Sequence, residues 1–331
     1  MSNKTYNAFR VEEINGQFIS SIKALELPLV AQGEVLIRVH YSSLNYKDAL
    51  SATGNKGVTR TYPHTPGIDA VGVIEQSQSK DYAVGEKVIV TSYDLGMNTN
   101  GGFGEYIKVP SDWVVKLPEK MTMKEAMLIG TAGLTAGMSV LRLTESIAPE
   151  DGSIVVSGAT GGVGSIAVSI LAKLGYSVVA ITGKDTEAAY LKRIGATEIL
   201  LRSEIENFKD RPLLKNLFAG GVDTVGGVIL ENIIKSTSPL GVVTCCGNVA
   251  SPKLELTVFP FILRGITLIG IDSQNYPMTY RKKVWDLLAE EWKVNEDALA
   301  YSEITLKGLD EKIALILQGK LKGRTIVNLL N

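Results

Sequence analysis

The chain has 331 residues, 45% of them apolar, and a formal net charge of −1. The length suits about two domains, the apolar content excludes a disordered chain, and the charge excludes the basic footprint of a nucleic-acid binder. The opening MSNKTYNAFRV lacks a basic region leading into an apolar one, and no uninterrupted apolar run is long enough to span a bilayer. The expectation is a cytoplasmic protein without membrane partners.

Residues 1–120 carry short apolar runs, such as EVLIRVHYSSL, AVGVIEQ, EKVIVTSY and GFGEYIKV, broken by Gly, Pro and Asn. That pattern predicts an all-β module with long loops. Across MTMKEAMLIGTAGLTAGMSVLRL the apolar period changes toward helix. Beyond it, strand-like and helix-like runs alternate, which predicts a parallel, doubly wound sheet. Near residue 297 the pattern returns to strand, then a helix over 309–318, then GRTIVNLL. The predicted organisation is α/β: residues 1–121 with 298–331 form a β domain, and 122–297 form the doubly wound domain.

VVSGATGGVGSIAVSILAKLGY is the sharpest local signal. A β-run ends at Gly158, turns through Gly161 and Gly162, and enters a helix at Val163, Gly164 and Ser165. Glycines three apart between a strand and a helix let backbone approach a pyrophosphate and aim the helix N-terminus at it. The next strand, VVAIT, ends at Thr182, Gly183 and Lys184. A carboxylate there would bind the ribose 2′-hydroxyl of NAD and repel a 2′-phosphate. With Lys184 behind the strand and Arg202 after EILL, the pattern predicts NADP(H). Asp185, past the glycine, reads as a helix N-cap.

Only two cysteines are present, Cys245 and Cys246, and only two histidines, His40 and His64. Adjacent strand residues point to opposite faces, so two reduced thiols are expected, at least one in the core. Neither a four-thiolate zinc lobe nor a His-rich metal site can be assembled from this set. Gly247 and Asn248 follow this strand, at the end where open α/β sheets bind ligands. The last strand of the sheet, TLIGID, leaves unpaired backbone groups that a second copy could satisfy, so a homodimer is expected.

GIDAVGVI, GGFGEYIKV, GTAGLTA and SGATGGVG together resemble the medium-chain dehydrogenase/reductase superfamily along essentially the whole chain. The resemblance implies a GroES-like β domain joined to a Rossmann domain. Zinc enzymes of that superfamily place a Cys and a His where this chain has Asn45 and Ile68, so no zinc is implied here. SSLNYKDALSATGNKG, RTYPHTPGIDAVG, PFILRGITLIGIDS and GRTIV narrow the resemblance to the acrylyl-CoA reductase and putative quinone oxidoreductase subfamily. That narrower resemblance implies NADPH-dependent, metal-free reduction of an activated C=C bond in an enoyl-CoA or an enone, with quinone reduction in the same cleft as the second reading and NADPH binding without turnover as the third. Such a reaction needs hydrogen-bond donors on the carbonyl and a proton source. Tyr46 is the first candidate for that role and Asn45 the second, while Asp48 is read as a helix cap. The resemblance places Thr131 and Arg324 near the cofactor. Met278 and YRKKVW read as a charged, solvated helix face, with contact to a CoA phosphate as the alternative.

Overall fold

The computed structural model describes residues 4–208 and 211–330. The chain begins as a hairpin, Thr5–Ile14 paired with Gln17–Glu26. Its two-residue turn, Asn15 and Gly16, has both φ angles positive, the conformation that matches strand twist and favours Asn-Gly.

Backbone contacts divide the chain into two units. The first comprises the residues up to Thr131, Gln274–Lys282 and the stretch from Ala300 onward; the second comprises Ala132–Ser273 and Lys283–Leu299. This differs from the predicted borders at 121/122 and 297/298. Thr131 is tied to Asp69, and Gln274 and Arg281 are tied to Tyr93 and Thr91, so these stretches go with the β unit.

In the first unit, Glu34–Leu44 is the long central strand. It pairs antiparallel with Asp69–Ser77 on one side and with Arg324–Asn328 and Tyr106–Pro110 along the other. Tyr301–Ile304, Lys87–Thr91 and Val114–Lys116 extend the sheet. Strand residues alternate their faces, and Val35, Ile37, Val39, Ala70, Ile74, Val88 and Val90 meet in one core cluster. A second cluster, including Phe9, Leu44, Ala49, Phe103, Leu309 and Ile313, seats the helices Tyr46–Ala52 and Leu309–Leu317.

The second unit is the predicted doubly wound sheet. Six parallel strands lie in the order Glu198–Leu201, Val178–Thr182, Ile154–Val156, Phe218–Asp223, Thr237–Cys245 and Thr267–Gly270. The order in which the chain adds strands reverses between Ile154–Val156 and its parallel neighbour Phe218–Asp223, the topological switch point where such sheets bind ligands. TLIGID does supply the edge strand, as expected.

Met123–Thr144 is, among the described residues, the one helix long and apolar enough to cross a membrane by composition. It is mostly buried in the fold and breaks at Gly130, whose φ of 50° and ψ of −158° are not helical.

Candidate active site

The first unit holds a dense polar network, centred on a residue that no sequence motif singles out. Asp69 is fully buried at the start of its strand. Its Oδ2 accepts from Ser43 Oγ at 2.6 Å and Asn45 Nδ2 at 2.7 Å. Its Oδ1 accepts from the Thr131 backbone N–H at 2.9 Å and from Thr131 Oγ1 at 2.6 Å. The break at Gly130 is what turns the Thr131 N–H toward the carboxylate. A side chain at Gly130 would stand 2.5 Å from Asp69 Oδ2, 2.6 Å from Arg324 Nη2 and 2.6 Å from Ser43 Oγ.

Arg324 closes the network. It is 3% exposed, donating from Nη2 to Ser43 Oγ at 2.8 Å, from Nη1 to Asn45 Oδ1 at 3.0 Å and from Nε to the Leu128 carbonyl at 3.1 Å. Its Nη2 lies 3.6 Å from Asp69 Oδ2. Burial pulls its pKa down, while Asp69 and Asp48 oppose the fall. A buried carboxylate and a buried guanidinium are tolerable because each is paired and hydrogen-bonded.

Tracing the protons separates donors from framework. Asn45 Nδ2 also donates to the Ser43 carbonyl at 3.2 Å, so both of its amide protons are taken up inside the network. The Thr131 hydroxyl proton goes to Asp69, so the 2.9 Å contact between Ser92 and Thr131 is donated by Ser92. Asn45 therefore sits at the site as framework, and the donor role expected of it from the sequence is not filled. Tyr46 is different: it opens the helix Tyr46–Ala52, is 37% exposed, and its hydroxyl has no hydrogen bond among the described residues.

Asp48 lies inside that helix rather than before it. Its Oδ2 accepts from the Asn45 N–H at 2.7 Å, and its Oδ1 from the N–H groups of Ile68 at 2.8 Å and Gly67 at 3.1 Å. Burial, reinforced by Asp69, raises its pKa to about 7 against those hydrogen bonds.

Next to the network, Ser92 and Tyr93 both have positive φ, 62° and 50°, costing roughly 1–3 kcal/mol apiece for non-glycine residues. The Tyr93 ring stacks on Trp113 with centroids 5.5 Å apart, and the Arg281 guanidinium lies 4.4 Å over it. Arg281 is fully buried and donates to Thr91 Oγ1 at 3.0 Å and the Gln274 carbonyl at 3.2 Å. The YRKKVW helix is thus not the wholly solvated face its charges suggest; its Arg281 is a buried anchor.

In the second unit the glycine turn is built as the spacing predicts. Gly158 has φ 58°, and a side chain there would meet Thr224 Oγ1 at 2.3 Å. A Cβ on Gly164 would stand 2.3 Å from the Gly158 carbonyl oxygen. Gly161 caps the helix Gly162–Lys173 without a side chain over its end. Val163 and Gly164 follow in its first turn. Ser165, 1% exposed, has its hydroxyl without a partner among the described residues. Asp223, which no motif marks either, accepts from Ser157 Oγ at 2.7 Å and the Gly226 N–H at 2.8 Å, tying adjacent strand ends together. Burial raises its pKa.

The register sets Thr182 opposite Leu201, which brings the two strand tips level. A Cβ on Gly183 would come within 3.5 Å of the Arg202 guanidinium carbon. Arg202 opens a short helix and pairs loosely with Glu206, 3.6 Å away. Lys184, not Asp185, is the residue before the next helical turn. Gly247 has no room for a side chain, which would stand 1.9 Å from the Thr224 carbonyl oxygen, and Asn248 is exposed. Both cysteines are free thiols of intermediate exposure, and Cys245 packs against the core cluster of the second unit, in line with the expectation of at least one core thiol. Desolvation and Asp223 push the Cys246 thiol up to about 12, which leaves it inert as a nucleophile.

Fold and glycine turn define a two-unit protein whose doubly wound unit is built to hold a dinucleotide. Residues 31–119 match the alcohol dehydrogenase GroES-like domain model and 162–290 the zinc-binding dehydrogenase model. The putative quinone oxidoreductase YhfP of Bacillus subtilis is 40% identical over 98% of this chain and 99% of its own. Its crystal structure with NAD bound matches with a TM-score of 0.95, covering 98% of this chain and all of that one. The acrylyl-CoA reductase AcuI of Ruegeria pomeroyi is 39% identical over 98% and 99% of the two chains. The yhdH oxidoreductase of Salmonella enterica, crystallised with NADP, is 40% identical at a TM-score of 0.93, covering 97% and 99%. The chain belongs to the medium-chain dehydrogenase/reductase superfamily, in its acrylyl-CoA reductase and putative quinone oxidoreductase subfamily.

The zinc in the name of the second model finds no home here. Ile68 offers no donor atom, Asn45 and Thr131 are engaged within the Asp69 network, and no three His, Cys, Asp or Glu side chains cluster for a metal among the described residues.

Proposed function

We propose that the protein is an NADPH-dependent reductase of C=C bonds conjugated to a carbonyl, with acrylyl-CoA or a similar short enoyl thioester as substrate. The observation that carries this reading is the Asp69 network standing where a metal centre would need ligands. With Asn45 and Ile68 at the zinc-ligand positions and the network's polar groups engaged with one another, the site suits a reaction whose charge spreads onto a carbonyl oxygen, which hydrogen-bond donors can stabilise. AcuI of Ruegeria pomeroyi, named for that activity, is 39% identical to this chain. YhfP carries the quinone oxidoreductase name at 40% identity, and quinone reduction is the second reading.

The residues present fit the dinucleotide. The bare helix end at Gly161, the Gly158–Gly164 approach and the orphaned Ser165 hydroxyl suit a pyrophosphate. Lys184 and Arg202, with Thr182 and Gly183 leaving space beside the guanidinium, suit a 2′-phosphate. Bound NADPH supplies the hydride. Tyr46 supplies the proton to the α-carbon, Asn45 holds the Tyr46 backbone in place through the network, and Arg324 and Thr131 serve as its framework.

The second unit also exposes Val258, Ile262 and Leu263 at 62%, 67% and 63%. These flank the edge strand, so we propose that a second copy of the chain covers them. Two free thiols fit a reducing compartment, and we place the protein in the cytoplasm.

Fluorescence titration tests the cofactor assignment. A charge-assisted contact is worth about 1.5–3 kcal/mol, so Lys184→Ala or Arg202→Ala should weaken NADPH about tenfold or more and leave NADH nearly unchanged. Equal wild-type affinity for NADPH and NADH would defeat it.

A further inference from the structure

We propose that Lys47, held in place by Gln274, is a catalytic residue that donates a hydrogen bond to the substrate carbonyl oxygen as it gains charge. This rests on the reading of the site as a reductase of conjugated carbonyl compounds. Ser43, Asn45 and Thr131 each give their side-chain protons to Asp69 or to the Ser43 carbonyl, and Ser92 gives its own to Thr131. The network is closed, and a substrate oxygen must find its donor elsewhere.

Two chain segments leave that network side by side. One runs Asn45, Tyr46, Lys47 into the helix. The other runs through Ser92 to Tyr93, whose N–H donates to the Gln274 carbonyl at 3.1 Å. They meet again where Lys47 Nζ donates to Gln274 Oε1 at 2.8 Å. The ammonium thus lies two residues along from Asn45 and against the segment that adjoins Ser92. It is partly buried, which strengthens a charged donor relative to water without enclosing it.

Gln274 is over-determined in a way a surface glutamine is not. Its carbonyl receives both the Tyr93 N–H and Arg281 Nη2, and Arg281 is pinned by Thr91 and by lying over the Tyr93 ring, which itself stacks on Trp113. A fully buried arginine and a pair of strained residues therefore fix the backbone of one amide, whose side chain aims one lysine. Preorganisation of that kind costs stability and is found where a donor must not reorient during reaction.

In the reaction, the β-carbon accepts the hydride with its electron pair, the alkene π pair moves to the bond between the α-carbon and the carbonyl carbon, and the carbonyl π pair ends on oxygen. Lys47 hydrogen-bonds that enolate oxygen and keeps its proton. The carbonyl reforms as the α-carbon takes one proton from the Tyr46 hydroxyl, which regains one from water. The substrate is reduced, and the nicotinamide oxidised, by two electrons. Gln274 is a positioning residue, acting through Lys47.

The test compares Lys47→Met, Lys47→Arg, Gln274→Leu and Gln274→Glu in steady-state reduction of acrylyl-CoA, methyl vinyl ketone and 1,4-benzoquinone. NADPH dissociation constants from fluorescence and thermal melts are measured alongside. Losing one such donor lowers kcat about 10²–10³-fold. That loss is expected for Lys47→Met with every acceptor the wild type reduces, with the NADPH constant within about twofold and the melt unchanged. Lys47→Arg keeps the charge and should recover most of kcat. Gln274→Leu should lower kcat about tenfold at constant KM, and Gln274→Glu, which keeps the acceptor, should restore it. Wild-type kcat in Lys47→Met overturns the inference. So does an equal loss of kcat in both Gln274 variants, which would mark that residue as packing alone. A wild type that reduces the quinone and neither alkene overturns the C=C reading while Lys47 is still judged on the quinone. A wild type that reduces none of the three overturns both.

Discussion

Gly130→Ala is the sharpest probe of the Asp69 network, because the substitution adds one methyl group and nothing else. The native backbone there, φ 50° and ψ −158°, lies in a region that side-chain-bearing residues enter at about 1–3 kcal/mol. The added Cβ would stand 2.5–2.6 Å from Asp69 Oδ2, Arg324 Nη2 and Ser43 Oγ. Two of these are carboxylate or guanidinium atoms held from several sides, so they cannot swing away like the end of a flexible chain. Leaving even one buried polar group unpaired costs about 1–3 kcal/mol more. The combined loss of about 2–6 kcal/mol is a large share of the roughly 5–15 kcal/mol that holds a protein folded. Urea denaturation reads it directly as a lower midpoint. Gly270→Ala is the control, since a Cβ there meets nothing within 4 Å and needs no unusual backbone; it should fall within about 1 kcal/mol of wild type. If Gly130→Ala also stays within about 1 kcal/mol, the helix break is incidental and the network is not held together by it.

Asp48 gives stability a pH dependence. Its folded pKa of about 7 lies above its ordinary value, so the folded state holds the proton more tightly; the stabilisation is full below about pH 4 and is lost as pH rises through 7. Denaturation midpoints should fall over that window and Asp48→Asn should flatten this part of the profile; a flat wild-type profile would contradict the assignment. Elemental analysis of the purified protein should find no stoichiometric zinc, and chelators should leave activity intact. About one zinc per chain would mean that the motif positions were misaligned. Light scattering should report a dimer that Ile262→Glu with Leu263→Glu converts to monomer, and a monomeric wild type at micromolar concentration would remove the edge-pairing argument.

The glycine turn is legible in the sequence because its requirement is local. Close backbone approach excludes side chains at Gly158 and Gly164, and the strand before and the helix after are adjacent in the chain. The tip at Gly183 with Lys184 and Arg202 is legible for the same reason, since parallel register sets successive strand ends side by side. The Asp69 network has no such signature. Its members sit at 43, 45, 69, 131 and 324, each an ordinary residue type in its own segment. Non-local pairing also decides the unit borders, because Arg281 belongs with Thr91, 190 residues earlier.

One signal is nevertheless present. GIDAVGVI puts an aspartate inside a run that has to be buried, and GRTIVNLL puts an arginine inside another. A buried charge without a partner would cost far more than either strand could recover by packing. Each strand therefore implies an opposite charge somewhere in the unit. The resemblance places Arg324 near the cofactor. Its burial points the other way: a guanidinium at 3% exposure, with Ser43, Asn45 and Leu128 on its donors, is placed to neutralise a carboxylate. The two anomalous strands answer each other across 255 residues of chain, and the proposed chemistry therefore rests on the partly exposed residues beside the pair, Tyr46 and Lys47, rather than on the pair itself.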